Sequence, residues 1–251
     1  MERYKPNNGY GSRNLLRNVR VFITDWSGCF SDDRWMVYLA NMRLLQHYGA
    51  ESMAFDGWLR AAQADAHDLV EYRLGRKVDR KECMELYDEA ITDLKKSSVL
   101  PVVYPGAVDL LNFLRAASIP RYVVSKHPAA HLVTEAEQHG LKHLFTGIIG
   151  DARPKSEAIR RICRKEEVDP IRGLYLGDMV FDQRESLDAG TIPVGITTGY
   201  HTGDRLEAAG AYIVVNSLTE LKTRLRLAVE ELIRRGRLHE LYALPAQSLL
   251  Y

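Results

Sequence analysis

Short apolar runs that end in a reactive side chain recur along this chain, and their order points to one kind of fold. Val19-Arg20-Val21-Phe22-Ile23-Thr24 runs into Asp25 and then into Trp26-Ser27-Gly28-Cys29. Tyr122-Val123-Val124 ends in Ser125, Lys155 follows Arg153-Pro154, and Gly173-Leu174-Tyr175-Leu176 leads to Gly177-Asp178, with Asp182 a helical turn further on. Each reactive group therefore stands at or just beyond the carboxyl end of an expected strand. That rim is where open α/β sheets bind ligands.

From residue 101 onward, strand-like and helix-like segments alternate, which predicts a doubly wound, mainly parallel, Rossmann-like sheet with helices on both faces. Pro105-Gly106 opens a helix with Ala107, Leu110, Leu111 and Leu114 on one face, and further strands are expected at 147–149, 193–196 and 211–215. Leu218, Leu221, Leu225, Val229 and Leu232, at spacings of three and four, mark a long closing helix. Residues 34–99 carry no strand pattern: Cys83, Leu86, Tyr87, Ala90, Ile91 and Leu94 share one helical face, and Trp58, Leu59 and Ala62 suggest another. The expected organisation is a polar arm (1–17), an α/β core (18–33 and 100–236), an inserted helical lobe (34–99) and a tail (237–251). The lobe, inserted after the first strand, hangs over the ligand-binding rim.

With 251 residues, 46% of them apolar, the chain can bury a sizeable core. Lys and Arg number 34 against 33 Asp and Glu, so no excess of charge points to nucleic acid or an anionic membrane. Cys29, Cys83 and Cys163 are too few and too scattered for a disulfide framework or zinc site, and a reducing cytoplasm is the expected setting. The sequence has no run of about eighteen apolar residues, as a membrane span requires, and no secretory signal is expected at the N-terminus.

Carboxylates from different strands, Asp25 and Asp178, can meet across adjacent strand ends and bind a hard divalent cation, with Asp182 in support. Magnesium is the natural occupant. Ser125 supplies a hydroxyl and Lys155 a positive charge, which suit a phosphate group better than a neutral one.

In this order and spacing, Asp25, Ser125, Lys155 and Gly177-Asp178 with Asp182 resemble the four motifs of the haloacid dehalogenase-like hydrolase superfamily, over about residues 19–225. Tyr104-Pro105-Gly106, Ser125-Lys126-His127-Pro128 and Asp188-Ala189-Gly190 are similar to its supporting stretches. The helical insertion resembles the cap of the subgroup containing phosphoglycolate phosphatase, β-phosphoglucomutase and phosphonoacetaldehyde hydrolase. The resemblance implies Mg²⁺-dependent transfer of a phosphoryl group to Asp25 and hydrolysis of the resulting aspartyl phosphate. It implies Asp25, Ser125 and Lys155 as the catalytic set, and Ser27, Gly28, Ser125, Lys126 and Lys155 as substrate contacts. The metal would be held by Asp25, the Ser27 backbone carbonyl and Asp178, with Asp182 supporting. The partner is then a small phosphorylated, or phosphonate, metabolite.

Ser27 departs from the family pattern, which places a second aspartate there to protonate the leaving group and activate water. General acid–base catalysis is typically worth about 10²–10⁴-fold, and a serine hydroxyl is too weak an acid to replace it. Three readings stay open. The enzyme takes substrates that need little protonation, or draws an acid from the cap or the substrate. It cleaves a carbon–phosphorus bond, since Asp25-Trp26-Ser27-Gly28 is similar to the phosphonoacetaldehyde hydrolase motif and the cap offers Lys77, Lys81, Lys95 and Lys96 for a Schiff base. Or it binds phosphate and magnesium without useful turnover. Dehalogenases also lack the second aspartate, but they need no metal, and Asp178 with Asp182 argues for one.

Other residues have plainer readings. Cys29 is expected to be a small buried packing residue rather than a nucleophile, because no histidine lies nearby in sequence. Lys126 and His127 either reach substrate or supply the missing proton, or, as side chains after this motif more often do, face solvent or the cap hinge. The basic run Arg73, Arg76, Lys77, Arg80 and Lys81 reads as a solvated helix end, as do Arg224, Arg226, Arg234, Arg235 and Arg237. The apolar tail residues Leu241, Tyr242, Leu244, Leu249, Leu250 and Tyr251 would pack on the core or on a second subunit, as in a homodimer.

Overall fold

The computed structural model describes residues 15–61 and 65–234. Six parallel strands form the central sheet: β1 (Val21–Thr24), β4 (Arg121–Val124), β5 (Gly147–Ile149), β6 (Gly173–Gly177), β7 (Ile192–Ile196) and β8 (Ile213–Val215), in the order β5-β4-β1-β6-β7-β8. β1 is central, pairing Phe22 with Arg121 of β4 and with Leu174 of β6. All four β1 side chains are buried, because helices cover both faces of a parallel sheet. The period of two divides them: Phe22 enters one core cluster, and Val21 with Ile23 enters the other.

The first cluster lies under α5 (Ala107–Ala116), α6 (Ala129–Gln138) and α10 (Leu218–Arg234), through Leu110, Leu111, Leu114, Leu132, Leu218, Leu221 and Leu225. The second lies under α7 (Lys155–Lys165) and α8 (Val180–Ala189), through Ile159, Ile162, Cys163 and Ala189. Truncating a fully buried residue such as Leu111 to alanine removes about 2–5 kcal/mol. The short α9 (Gly203–Ala208) joins β7 to β8.

Two further strands, β2 (Ser31–Asp32) and β3 (Val102–Val103), pair antiparallel with Ser31 opposite Val103. They form a neck from which the helical cap rises: α1 (Arg34–His47), α2 (Phe55–Ala61), α3 (Ala66–Leu74) and α4 (Arg80–Lys96). Asp65 and Asp79 begin α3 and α4 by accepting backbone N–H bonds from Asp68 (3.1 Å) and Glu82 (2.8 Å). The fold is the doubly wound α/β core with a helical cap expected from the sequence. Among the described residues, no helix is long and apolar enough to cross a membrane.

Some expectations are corrected. The last strand begins at Ile213 rather than residue 211. Residues 15–17, assigned to the polar arm, belong to a 3₁₀ turn (Leu15–Asn18) whose Leu16 is buried in the first core cluster. The rest of the arm, Ala62, the side chains of Val229 and Leu232, Arg235, Arg237 and the apolar tail lie outside the described residues.

Candidate active site

β1 lies where the chain's strand order reverses, and the carboxyl ends of β1, β4 and β6 meet there. Asp25 follows β1, Ser125 follows β4, and Asp178 follows β6. Lys155 opens α7 and Asp182 lies in the first turn of α8. All five are buried.

Lys155 Nζ donates to Asp25 Oδ2 at 2.6 Å and to Asp182 Oδ1 at 2.7 Å. A lysine at a helix N-terminus opposes the helix dipole, so this placement depends on the two carboxylates. Burial disfavours the ammonium, but Asp182 and Asp25 outweigh it and hold its pKa above the ordinary lysine value. Asp25 Oδ1 accepts the Trp26 N–H at 2.8 Å, so hydrogen bonds at both oxygens fix the carboxylate. Asp182 Oδ2 accepts the Met179 N–H at 3.1 Å, capping α8 with the residue that anchors Lys155. Ser125 is buried, and its Oγ accepts the His127 N–H at 3.4 Å.

Asp178, Asp25 and Asp182 each bring a carboxylate oxygen within 4.8 Å of the others. Burial, then the charges of Asp182 and Asp25, push the Asp178 carboxyl well above its usual range. With Lys155 as the cation hydrogen-bonded into this group, the carboxylates crowd more negative charge than one ammonium offsets. The backbone keeps the space around Asp178 free. A Cβ on Gly28, whose φ is +72°, would stand 2.3 Å from Asp178 Oδ2, and one on Gly199 would stand 1.9 Å from it. An all-oxygen donor set with excess negative charge fits a hard divalent cation. The Gly28 N–H donates to Ser31 O at 2.9 Å, so this glycine contributes the turn and the space rather than a free amide.

Two residues that sequence reasoning did not single out complete the site. Ser27 Oγ donates to Asp33 Oδ1 at 2.7 Å, and Tyr200 Oη donates to the same oxygen at 2.9 Å. Asp33 is 3% exposed. Burial raises its pKa more than His127, Ser27 and Tyr200 lower it. The signal was present in the sequence, in a second aspartate directly after Asp32, but only the neck and the first turn of α1 reveal that it returns to Ser27. Tyr200 also donates its N–H to Asp178 Oδ2 at 2.8 Å, and its ring centroid lies 5.6 Å from that of Trp58 in the cap.

Lys126, one of the expected substrate contacts, is half-buried with Nζ 3.5 Å from the Phe181 ring centroid, and it lines the cavity with His127. Cys29 packs as expected: burial, then Asp178, Asp25 and Asp182, push its thiol well up and keep it protonated. Of the cap lysines, Lys95 and Lys96 line the cavity, whereas Lys77 pairs with Glu71 and Lys81 with Glu85 away from it. Arg80 is held by Asp65. A cavity of about 590 Å³ joins Asp25, Ser27, Asp33, Ser125 and Lys155 to the inner face of the cap.

The family model described as haloacid dehalogenase-like hydrolase matches residues 23–196. A phosphoglycolate phosphatase of Pseudomonas putida is 27% identical over 212 residues, covering 80% of this chain and 78% of that protein. Another, from Vibrio vulnificus strain YJ016, is 25% identical over 147 residues, covering 57% of this chain and 64% of its own length, just under two thirds. A haloacid dehalogenase-like family hydrolase of Streptococcus pneumoniae superposes with a TM-score of 0.69 at 17% identity, covering 81% of this chain and 97% of that one. A hydrolase of Pseudomonas syringae gives 0.69 at 18% identity, covering 83% and 98%. At those identities the structural likeness shows the fold.

Proposed function

This chain belongs to the haloacid dehalogenase-like hydrolase family, and from that premise we propose that it hydrolyses a small phosphorylated metabolite, with Asp25 as nucleophile and Mg²⁺ as cofactor. The observation that carries this reading is the fixed Asp25 carboxylate, bonded to Lys155 on one oxygen and to the Trp26 N–H on the other, beside the acidic group of Asp178 and Asp182. The named phosphatases among its relatives support the substrate class.

Asp25, Asp178 and the Ser27 carbonyl would hold the cation, with Asp182 in support. When bound, it offsets the negative charge of the phosphoryl oxygens and the nucleophile. Ser125 and Lys155 bind and orient the phosphoryl group, and Asp25 attacks phosphorus as the ester oxygen departs. Water then attacks the aspartyl phosphate, releasing phosphate and restoring Asp25.

The departing oxygen needs a proton, and Asp33 is placed to provide it. Its buried carboxyl hydrogen-bonds the Ser27 hydroxyl, which occupies the position of the family's acid. For the transfer the Ser27 hydroxyl turns from Asp33 to the leaving oxygen and gives up its proton, while the protonated Asp33 carboxyl donates one to Ser27 Oγ. In the second step a proton of the attacking water passes back by the reverse route and restores Asp33. A carboxyl six residues further along thus takes over the duty that residue 27 lacks. This favours ester hydrolysis over a binding-only role and over carbon–phosphorus cleavage.

The test is phosphate release from an aryl phosphate and a panel of alkyl phosphates, with Asp25→Asn as blank and chelator as control. Turnover of alkyl esters, abolished by chelator and absent in the blank, is expected. No release above the blank from any ester overturns the reading. A substrate-dependent borohydride adduct on Lys95 or Lys96 would transfer it to phosphonate cleavage.

A further inference from the structure

The cap supplies the wall opposite the phosphate-binding groups, and its chemistry is specific. Met36, Val37, Trp58, Leu69, Met84 and Ile91 line the cavity from all four cap helices. The charged cap residues on the same lining are Asp65 and Asp88 against Lys95 and Lys96, so they cancel. Asn41 also lines it: Nδ2 donates to Val37 O at 2.8 Å, while the buried Oδ1 has no hydrogen-bond partner. That oxygen is closed off from the cavity, so the lining there presents an apolar face rather than a hydrogen-bond acceptor.

The cavity volume of about 590 Å³ falls within the roughly 300–1,000 Å³ of sites that enclose drug-sized ligands. A two-carbon hydroxy acid would leave most of that space to water against an apolar wall. Its carboxylate would meet no net positive charge among the cap residues that line it.

We infer that the substrate is the phosphate monoester of a bulky, uncharged and mainly apolar alcohol. This rests on the hydrolase reading above and narrows it: the phosphate binds at the strand ends, and the alcohol fills the cap. It separates the chain's preference from that of a phosphoglycolate-sized ester.

The experiment compares kcat/KM for 2-phosphoglycolate, ethyl phosphate, and straight-chain or phenylalkyl phosphates of rising length. In parallel, binding of the matching non-hydrolysable phosphonates to Asp25→Asn is followed by tryptophan fluorescence. The expected result is a rise of about fourfold per methylene buried, until the cavity is full. Bulky esters should exceed 2-phosphoglycolate by about tenfold or more. Ile91→Asp, at a half-buried site on the cavity lining, should pull the bulky-to-short ratio toward one.

Preference for 2-phosphoglycolate, or equal kcat/KM across the series, overturns the inference and leaves the hydrolase reading standing. Tight binding of bulky phosphonates with no ester hydrolysed supports the inference and sinks the hydrolase reading. Neither binding nor turnover sinks both.

Discussion

Ser27 Oγ lies 2.7 Å from Asp33 Oδ1, so the position at which the family carries its acid is a hydroxyl backed by a buried carboxyl. Ser27 lies in the turn after β1 and Asp33 follows β2 at the start of α1, and Tyr200, from the segment after β7, donates to the same Asp33 oxygen.

If Asp33 supplies the proton, its removal should matter in proportion to how poor the leaving group is. Asp33→Ser should lower kcat for alkyl phosphates by about 10²–10⁴-fold while changing nitrophenyl phosphate turnover little. Adding Ser27→Asp to that variant restores a carboxyl beside the scissile bond and should recover most of the loss. Initial rates across a series of leaving-group pKa values check this. Equal losses for aryl and alkyl esters, without rescue, would assign Asp33 a purely structural role.

Lys155 bridges two buried carboxylates, so Lys155→Met should be costly to the fold as well as to activity. Leaving Asp25 and Asp182 without their ammonium should destabilise by about 3–5 kcal/mol. Urea unfolding of the metal-free protein measures it. A change under about 1 kcal/mol would mean that the carboxylates find another partner or take up protons at little cost.

Gly199 leaves room for Asp178, because a Cβ there would stand 1.9 Å from Oδ2. Gly199→Ala should therefore displace Asp178 and weaken Mg²⁺ binding more than folding. For the native chain, Mg²⁺ at a hundredfold excess over Kd should stabilise by about 2.7 kcal/mol, visible as a raised Tm. The variant should lose most of that increment while keeping a similar Tm in chelator. An unchanged Mg²⁺ increment would remove Asp178 from the metal site.

In the neck, Arg34 forms a two-point pair with Asp32, at 2.8 Å for both bonds. Burial raises the Asp32 carboxyl, but the hydrogen bonds and charge of Arg34 outweigh it, so its folded pKa lies below the ordinary value. A depressed carboxyl stabilises above its unfolded pKa, about 3.9, and the contribution fades as pH falls through the lower folded value. The pair is partly exposed, so Asp32→Asn should cost only about 0.5–1 kcal/mol at neutral pH. Urea melts at neutral and strongly acid pH should show that difference shrinking. A constant difference would place its origin in strand packing instead.

Much of this was legible before any coordinates. Asp25, Ser125 and Asp178 each end an apolar run, and such runs become buried parallel strands whose ends meet at one rim. The α4 stripe was equally plain, since Cys83, Ala90 and Leu94 share one face toward the cap interior. What escaped has physical causes. β2 and β3 are two residues each, too short for a period of two to register. α1 buries Met36, Ala40, Asn41, Leu44 and Leu45 among several neighbours, so its apolar residues form no clean stripe. Asp33 and Tyr200 act through contacts beyond their own elements, and local pattern does not encode them.

The most direct test of Asp25 as the nucleophile is a rapid acid quench during turnover of an ester with a radiolabelled phosphoryl group, followed by peptide mapping. The expected result is label on the peptide that contains Asp25, dependent on Mg²⁺ and absent from Asp25→Asn, which should release no phosphate. Phosphate release at the native rate from Asp25→Asn, or turnover that never places label on that peptide, would contradict it.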